Sequence, residues 1–345
     1  PTAPPAPATE APAATNTPLP TNTLAPSSTP RPRYITVDTA RNVTLLDLLG
    51  GGPGATVLLT TSFSPVEDQV ATFGYSKVVT IWDVDSGRTL YELTGHTDYG
   101  FGMEYSPDGT MLASGGGDFT VRLWDPSNGS FIRSIRINSY SYRVVWSPDS
   151  ELIAVVGDPI SRVEVFNAQT GAEVMRLSHS RETLWGADFS PDGEYLATCD
   201  NAGTVVVYEL KSREVVTTLM PATRSTAWDV EFSPDGRLIA SAYADGDINV
   251  WRTDSWARVI GIEAHGPRSA MDLTFGRDSD VIFSAGADGV FKIWNANTGA
   301  ELMSTVPVAS FDLIPRTLWY VSLSGEGDMV AVAVDDGSLA ILGLP

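Results

Sequence analysis

Residues 232–251 read FSPDGRLIASAYADGDINVW, and residues 189–208 read FSPDGEYLATCDNAGTVVVY. The copies lie 43 residues apart and share one grammar. An alternating apolar run ending at Phe232 is broken by SPDG, where Pro234 presets φ and Gly236 accepts a positive φ, so a tight hairpin is predicted. LIASA follows, ADGD turns the chain into INVW, and ARVIGI forms a fourth run. Four short antiparallel strands make one small sheet. Such a sheet cannot bury both faces alone, so neighbouring copies must stack on it.

The turn serine or its equivalent recurs at Ser64, Ser106, Ser147, Ser190, Ser233, Gly276 and Ser324, with spacings of 42, 41, 43, 43, 43 and 48 residues. A period of ~40–45 residues with four strand-like runs belongs to propeller blades. Trp82-Asp83 and Trp124-Asp125 close the third run of their units. Trp294-Asn295, Trp251-Arg252, Tyr208-Glu209 and Phe166-Asn167 stand as drifted versions, and Gly95-His96 lies 28 residues before Trp124. On these motifs the chain resembles the WD40-repeat proteins over about residues 34–345. The seventh unit and the third, with its GDPIS turn, match least well. The expectation is an all-β, seven-bladed propeller with four antiparallel strands per blade.

The resemblance implies a hydrogen-bond relay of His, Ser, Asp and Trp within a blade. The matching residues are His96, Ser114, Asp118 and Trp124, and again His265, Ser284, Asp288 and Trp294. The fifth unit keeps Ser241, Asp245 and Trp251 without an aligned histidine. A hydrolytic triad would be unique and exposed beside an oxyanion site. A set that recurs with the repeat reads instead as a buried, structural network.

Composition bounds the partners. Acidic residues outnumber basic ones 42 to 22, a net charge of −20, which repels nucleic acid and anionic lipid. No apolar run approaches the ~20 residues of a membrane span. Cys199 is the single cysteine and sits in an apolar run, so it reads as a small buried thiol. Motifs for a phosphate loop, haem, zinc or a complete calcium loop are absent, and no cofactor or metal is expected; DVDSG at 83–87 lacks a calcium loop's later ligands. Asn42 and Asn128 each begin a glycosylation sequon.

Residues 1–33 hold ten prolines and only three charges, Glu10, Arg31 and Arg33. A Pro/Thr/Ala tract of this kind buries too little apolar surface to fold alone and favours polyproline II. It reads as a tail or stalk, and with Pro1 as the first residue the expectation is a bacterial secreted or surface protein whose signal peptide is removed. A plain disordered tail is the alternative. Residues 34–345 form the propeller, with 42–50 (NVTLLDLLG) resembling an outer strand and expected to pair with the C-terminal blade. YITV at 34–37 also resembles a third strand, a slot that SLAILGL near the C-terminus already fills.

The position five residues before each turn serine is Leu59, Phe101, Tyr142, Trp185, Trp228, Met271 and Trp319, with Tyr99 and Tyr140 two residues earlier in their units. These large side chains start the inner strands at one rim of the channel. They either form a binding rim, for protein or carbohydrate, or pack between strands and plug the channel. The reading favoured is a non-catalytic interaction scaffold on the cell surface, self-assembling into a filament through its tail. The alternatives are a monomeric surface receptor, or an enzyme using rim residues such as Asp229, Asp272, Arg143 and Arg316.

Overall fold

A computed structural model describes residues 34–345 apart from 52–54, 160, 179–181 and 308–315; the 1–33 segment and His179 lie outside the described residues. Twenty-eight strands among the described residues form seven four-stranded antiparallel sheets. These are the blades of a seven-bladed propeller, numbered here by their turn serines. Blade 5 shows the local logic. Its inner strand Ala227–Phe232 pairs with Leu238–Tyr243 across the SPDG turn, then come Asp247–Arg252 and the outer Arg258–Glu263. Gly236 adopts φ 71°. The Ser233 hydroxyl donates to Asp235 at 2.7 Å, the Arg237 N–H donates to that same carboxylate at 3.0 Å, and the Leu238 N–H donates to Ser233 Oγ at 2.9 Å. Asp108, Asp149 and Asp192 are held by their own turn serines in the same way. At 83–87, Asp83 likewise caps its turn by accepting from the N–H and hydroxyl of Ser86.

The core lies between blades. Trp124, wholly buried, packs with Phe73, Val79, Ile81, Leu93 and Met103 across the junction of blades 1 and 2. Burying one such side chain contributes roughly 2–3 kcal/mol, and each blade spends both faces this way. Outer strands therefore alternate only weakly: Glu301–Thr305 is half exposed, whereas Val281–Gly286 in the same blade is buried throughout.

Blade 7 takes its outer strand from the other end of the chain. Thr44–Gly50 pairs antiparallel with Ser338–Gly343, giving the order 44–50, 338–343, 329–334, 318–323. The 34–37 segment is a lead-in, not a strand. The Ile35 N–H donates to Gly327 O at 2.8 Å on the turn of blade 7, and Thr36 and Thr39 bond to each other. Ile35, fully buried, joins Ala40 and Val43 in the core between blades 6 and 7. An apolar side chain wedged between two sheets holds this segment without any ladder bond.

Candidate functional site

The relay residues come together as side chains. His96 Nε2 lies 2.8 Å from Ser114 Oγ and its Nδ1 2.9 Å from Asp118, while the Trp124 indole donates to Ser114 Oγ at 2.8 Å. Blade 6 repeats the set with His265, Asp288, Ser284 and Trp294, each contact at 2.9 Å. Burial works against ionisation of Asp118, but the hydrogen bond and charge of His96 outweigh it and hold the carboxyl well below its usual range. Blade 1 bonds the Trp82 indole to Thr72 at 3.0 Å. Blade 3 replaces the histidine with Asn138, whose N–H donates to the buried Glu164 at 3.0 Å. In blade 5, Ser241 donates to the carbonyl of Asp229 and Asp245 accepts from Thr223. Ser114 and Ser284 have no solvent exposure, so these hydroxyls are closed to a substrate. Ser114→Ala strands two buried nitrogens and is expected to cost about 2 kcal/mol, read by chemical denaturation. An unchanged midpoint would remove the relay from the stability of the blade.

The rim residues occupy one feature that the sequence did not reveal. In six blades the inner-strand register slips by one residue: between Leu58 and Thr60, Gly100 and Gly102, Leu184 and Gly186, Ala227 and Asp229, Ala270 and Asp272, and Leu318 and Tyr320. The extra residue is Leu59, Phe101, Trp185, Trp228, Met271 or Trp319. A bulge re-aims the side chain it carries, here at the channel mouth. The rings then form a chain of contacts: Tyr75–Tyr99 at 5.3 Å, Tyr99–Phe101 at 5.4 Å, Phe101–Tyr142 at 5.5 Å, Tyr142–Trp185 stacked at 4.4 Å and Trp185–Trp228 at 4.7 Å. Tyr140, more exposed, packs on Phe119 at 4.8 Å. Leu59 is buried, whereas Phe101, Tyr142, Trp185, Trp228, Met271 and Trp319 stay partly exposed. The indole N–H groups of Trp185, Trp228 and Trp319 are enclosed without a hydrogen-bond partner.

Below this mouth Arg143 crosses the channel. Its guanidinium lies 3.0 Å from Asp229 and 3.0 Å from Asp272, and sits 4.5 Å over the ring of Tyr320. The four residues belong to blades 3, 5, 6 and 7. Asp229 and Asp272 are almost completely buried and each also accepts an inner-strand N–H of the next blade, from Leu273 and Val321. They are committed to the ring, and Arg316 does not join them. Beneath lies a cavity of about 320 Å³ lined by Glu104, Arg143, Asp188, Glu231, Thr274 and Tyr320. Its polar lining stitches blade to blade. The Tyr105 N–H donates to Ser62, Trp146 N–H to Glu104, Phe232 N–H to Asp188, Thr274 Oγ1 to Glu231, and Phe63 N–H to Ser322. Burial pushes Glu104 up to about 7, with Arg143 and the Trp146 N–H opposing it, and drives Asp188 and Glu231 well above the carboxylate range.

Sequence reasoning missed Glu104, Asp188 and Glu231, although a signal existed. The residue two before each turn serine is Ser62, Glu104, Val145, Asp188, Glu231, Thr274 and Ser322, polar in six units at a place where the alternation looks inward.

A family model described as the first β-propeller of IFT122 matches residues 57–343, more than half of the chain. The eukaryotic translation initiation factor 3 subunit I of Candida albicans is 29% identical over 154 residues, 40% of this chain and 44% of that protein. The small ribosomal subunit protein RACK1 of Neurospora crassa is 26% identical over 134 residues, 39% of this chain and 42% of that protein. The target of rapamycin complex subunit wat1 of Schizosaccharomyces pombe is 30% identical over 115 residues, 33% of this chain and 37% of that protein. The chain spans less than half the length of these relatives. With seven blades, the recurring relay and a family match across nearly the whole ring, the chain belongs to the WD40-type β-propellers, in the family of the first propeller of IFT122.

Proposed function

We propose that the protein is a non-catalytic interaction scaffold whose binding surface is the aromatic mouth of the channel. The carrying observation is the unbroken chain of rings from Tyr75 to Trp228, three of them (Phe101, Trp185 and Trp228) carried on bulges, and all of them at least partly exposed. Partly exposed aromatics clustered at a concave rim are the raw material of interface hot spots. The relatives named above are subunits of larger assemblies, which supports the same class of function. The Tyr142 and Trp185 rings stack on each other at 9°, which takes one face of each out of the binding surface.

The finer reading is self-assembly outside the cell. Proline-rich segments dock in aromatic-lined grooves, and this chain carries ten prolines in residues 1–33 beside only three charges. Docking of that segment on the mouth of another copy makes a head-to-tail contact, which builds a filament when it does not close. The charge of −20 opposes it, so salt is expected to strengthen assembly. Particle size by light scattering, for residues 1–345 against 34–345, tests this directly. Oligomers that depend on residues 1–33 and are lost in Trp185→Ala/Trp228→Ala support the reading. Monomers in both chains sink self-assembly, and leave the mouth to be assayed by cross-linking for a foreign protein. Surface biotinylation of intact source cells tests the location; a chain that stays unlabelled while a known surface protein is labelled overturns it.

A further inference from the structure

Five carboxyls and one guanidinium share the channel interior. Glu104 comes from the inner strand of blade 2 (Gly100–Tyr105), Arg143 from blade 3 (Arg143–Trp146) and Asp188 from blade 4 (Leu184–Phe189). Asp229 and Glu231 come from blade 5 (Ala227–Phe232), and Asp272 from blade 6 (Ala270–Phe275). Tyr320 from blade 7 covers Arg143, and blade 1 lines the cavity with Thr61, Ser62, Phe63 and Pro65, none of them charged. Behind the ring, the thiol of Cys199 faces the main chain of Asp229's strand, donating to Ala227 O at 3.4 Å, and Asp200 follows on the same strand. Arg143 compensates Asp229 and Asp272 at 3.0 Å each. Glu104, Asp188 and Glu231 have no ion-pair partner of their own at that range among the described residues. They line the cavity and hold the junctions of blades 2–3, 4–5 and 5–6.

Glu104, Asp188 and Glu231 are each partly exposed to this one narrow cavity. Like charges crowded around it repel when unpaired, and such a group takes up a proton more readily than a carboxyl in open water. We propose that Glu104, Asp188 and Glu231 form a proton-operated latch: with protons held on these three carboxyls the seven blades close tightly, and their loss at higher pH loosens the ring from its axis outward.

The geometry sets the direction. A carboxyl keeps its acceptor oxygen for the neighbouring blade in either state, so the stitch survives protonation while the repulsion disappears. Groups whose folded-state affinity for protons exceeds the unfolded one stabilise the fold fully below the unfolded pKa, and that stability is lost as pH rises through the folded value. For Glu104 the window runs from about 4.5 to about 7, and Asp188 and Glu231 extend it upward.

Thermal melts of the full chain between pH 5 and pH 8 test the latch. The midpoint is expected to fall by roughly 5 °C as pH rises. In Glu104→Gln/Asp188→Asn/Glu231→Gln the slope is expected to drop to less than half. A control with three exposed acids removed, Glu92→Gln/Glu214→Gln/Glu263→Gln, should keep the parent slope, because it relieves overall charge equally without touching the channel. A flat or rising midpoint in the parent, or equal flattening in both triple variants, overturns the proposal. Infrared spectroscopy of the parent stands apart from any variant's ability to fold. A protonated carboxyl band at pH 6 that fades by pH 8.5 is expected, and its absence at pH 6 overturns the latch.

Discussion

Arg143→Met is expected to destabilise the propeller by about 3–5 kcal/mol at pH 8, the scale for removing one partner of a buried ion pair, and by much less at pH 5. Among the described residues the guanidinium is the single cation beside the five channel carboxyls, and it contacts Asp229 and Asp272 in two different blades. Methionine keeps the volume and the apolar stem but supplies no charge. Two carboxylates with almost no exposure are then left facing each other. At pH 5 Asp272, which burial holds well above the usual carboxylate range, keeps a proton and the repulsion is relieved; at pH 8 it must ionise in place or the ring must open. Guanidinium melts at the two pH values read this directly. An equal loss at both would mean that the arginine acts through packing on Tyr320, not through charge. Asp272→Asn beside it separates the two, since it leaves the shape and the Val321 N–H bond while removing one charge.

A chain beginning at residue 52 is expected to lose the cooperative fold, whereas one beginning at residue 34 keeps it. Residues 44–50 complete blade 7 by pairing with Ser338–Gly343. Their removal bares a buried central strand, in which all six residues are enclosed. It also strips Ile35, Ala40 and Val43 from the core between blades 6 and 7. Ile35 and Val43 each contribute roughly 1.5–3 kcal/mol and the Ala40 methyl about 0.8 kcal/mol, and the whole stability of a domain is on the order of 5–15 kcal/mol. An unpaired apolar strand also templates association. The shortened chain is therefore expected to aggregate or to melt tens of degrees earlier, by circular dichroism and light scattering. A monomer with the parent's midpoint would show that the ring closes without its N-terminal strand.

The repeat made the architecture legible. SPDG turns, alternating runs and Trp-Asp endings are local devices whose chemistry is complete within a few residues, so blade count and strand order can be read from spacing, and the resemblance to WD40 repeats supplies the relay partners. His96 finds Ser114 and Asp118 because all three sit at fixed offsets in one blade. The rim residues were legible as a recurring position, but not the reason they face the mouth. That reason is a register slip, which depends on how the inner strand pairs with its neighbour and which of its own residues is left unpaired. The fate of 34–37 was open for the same cause: YITV has the alternation of a strand, and only the free space between blades 6 and 7 decides that Ile35 is a wedge.

Arg143, Asp229 and Asp272 show the limit most clearly. In sequence they were candidate rim residues scattered over 129 positions. In the ring they meet, because seven inner strands converge on one axis and bring together side chains that share only their place in the repeat. By itself the sequence determined the unit and the number of its copies, since each turn and apolar run is a short-range bargain of backbone and burial. What stands at the centre was decided by closure. Charge repulsion, ion pairing and proton uptake act across the channel, between residues that only the closed ring makes neighbours.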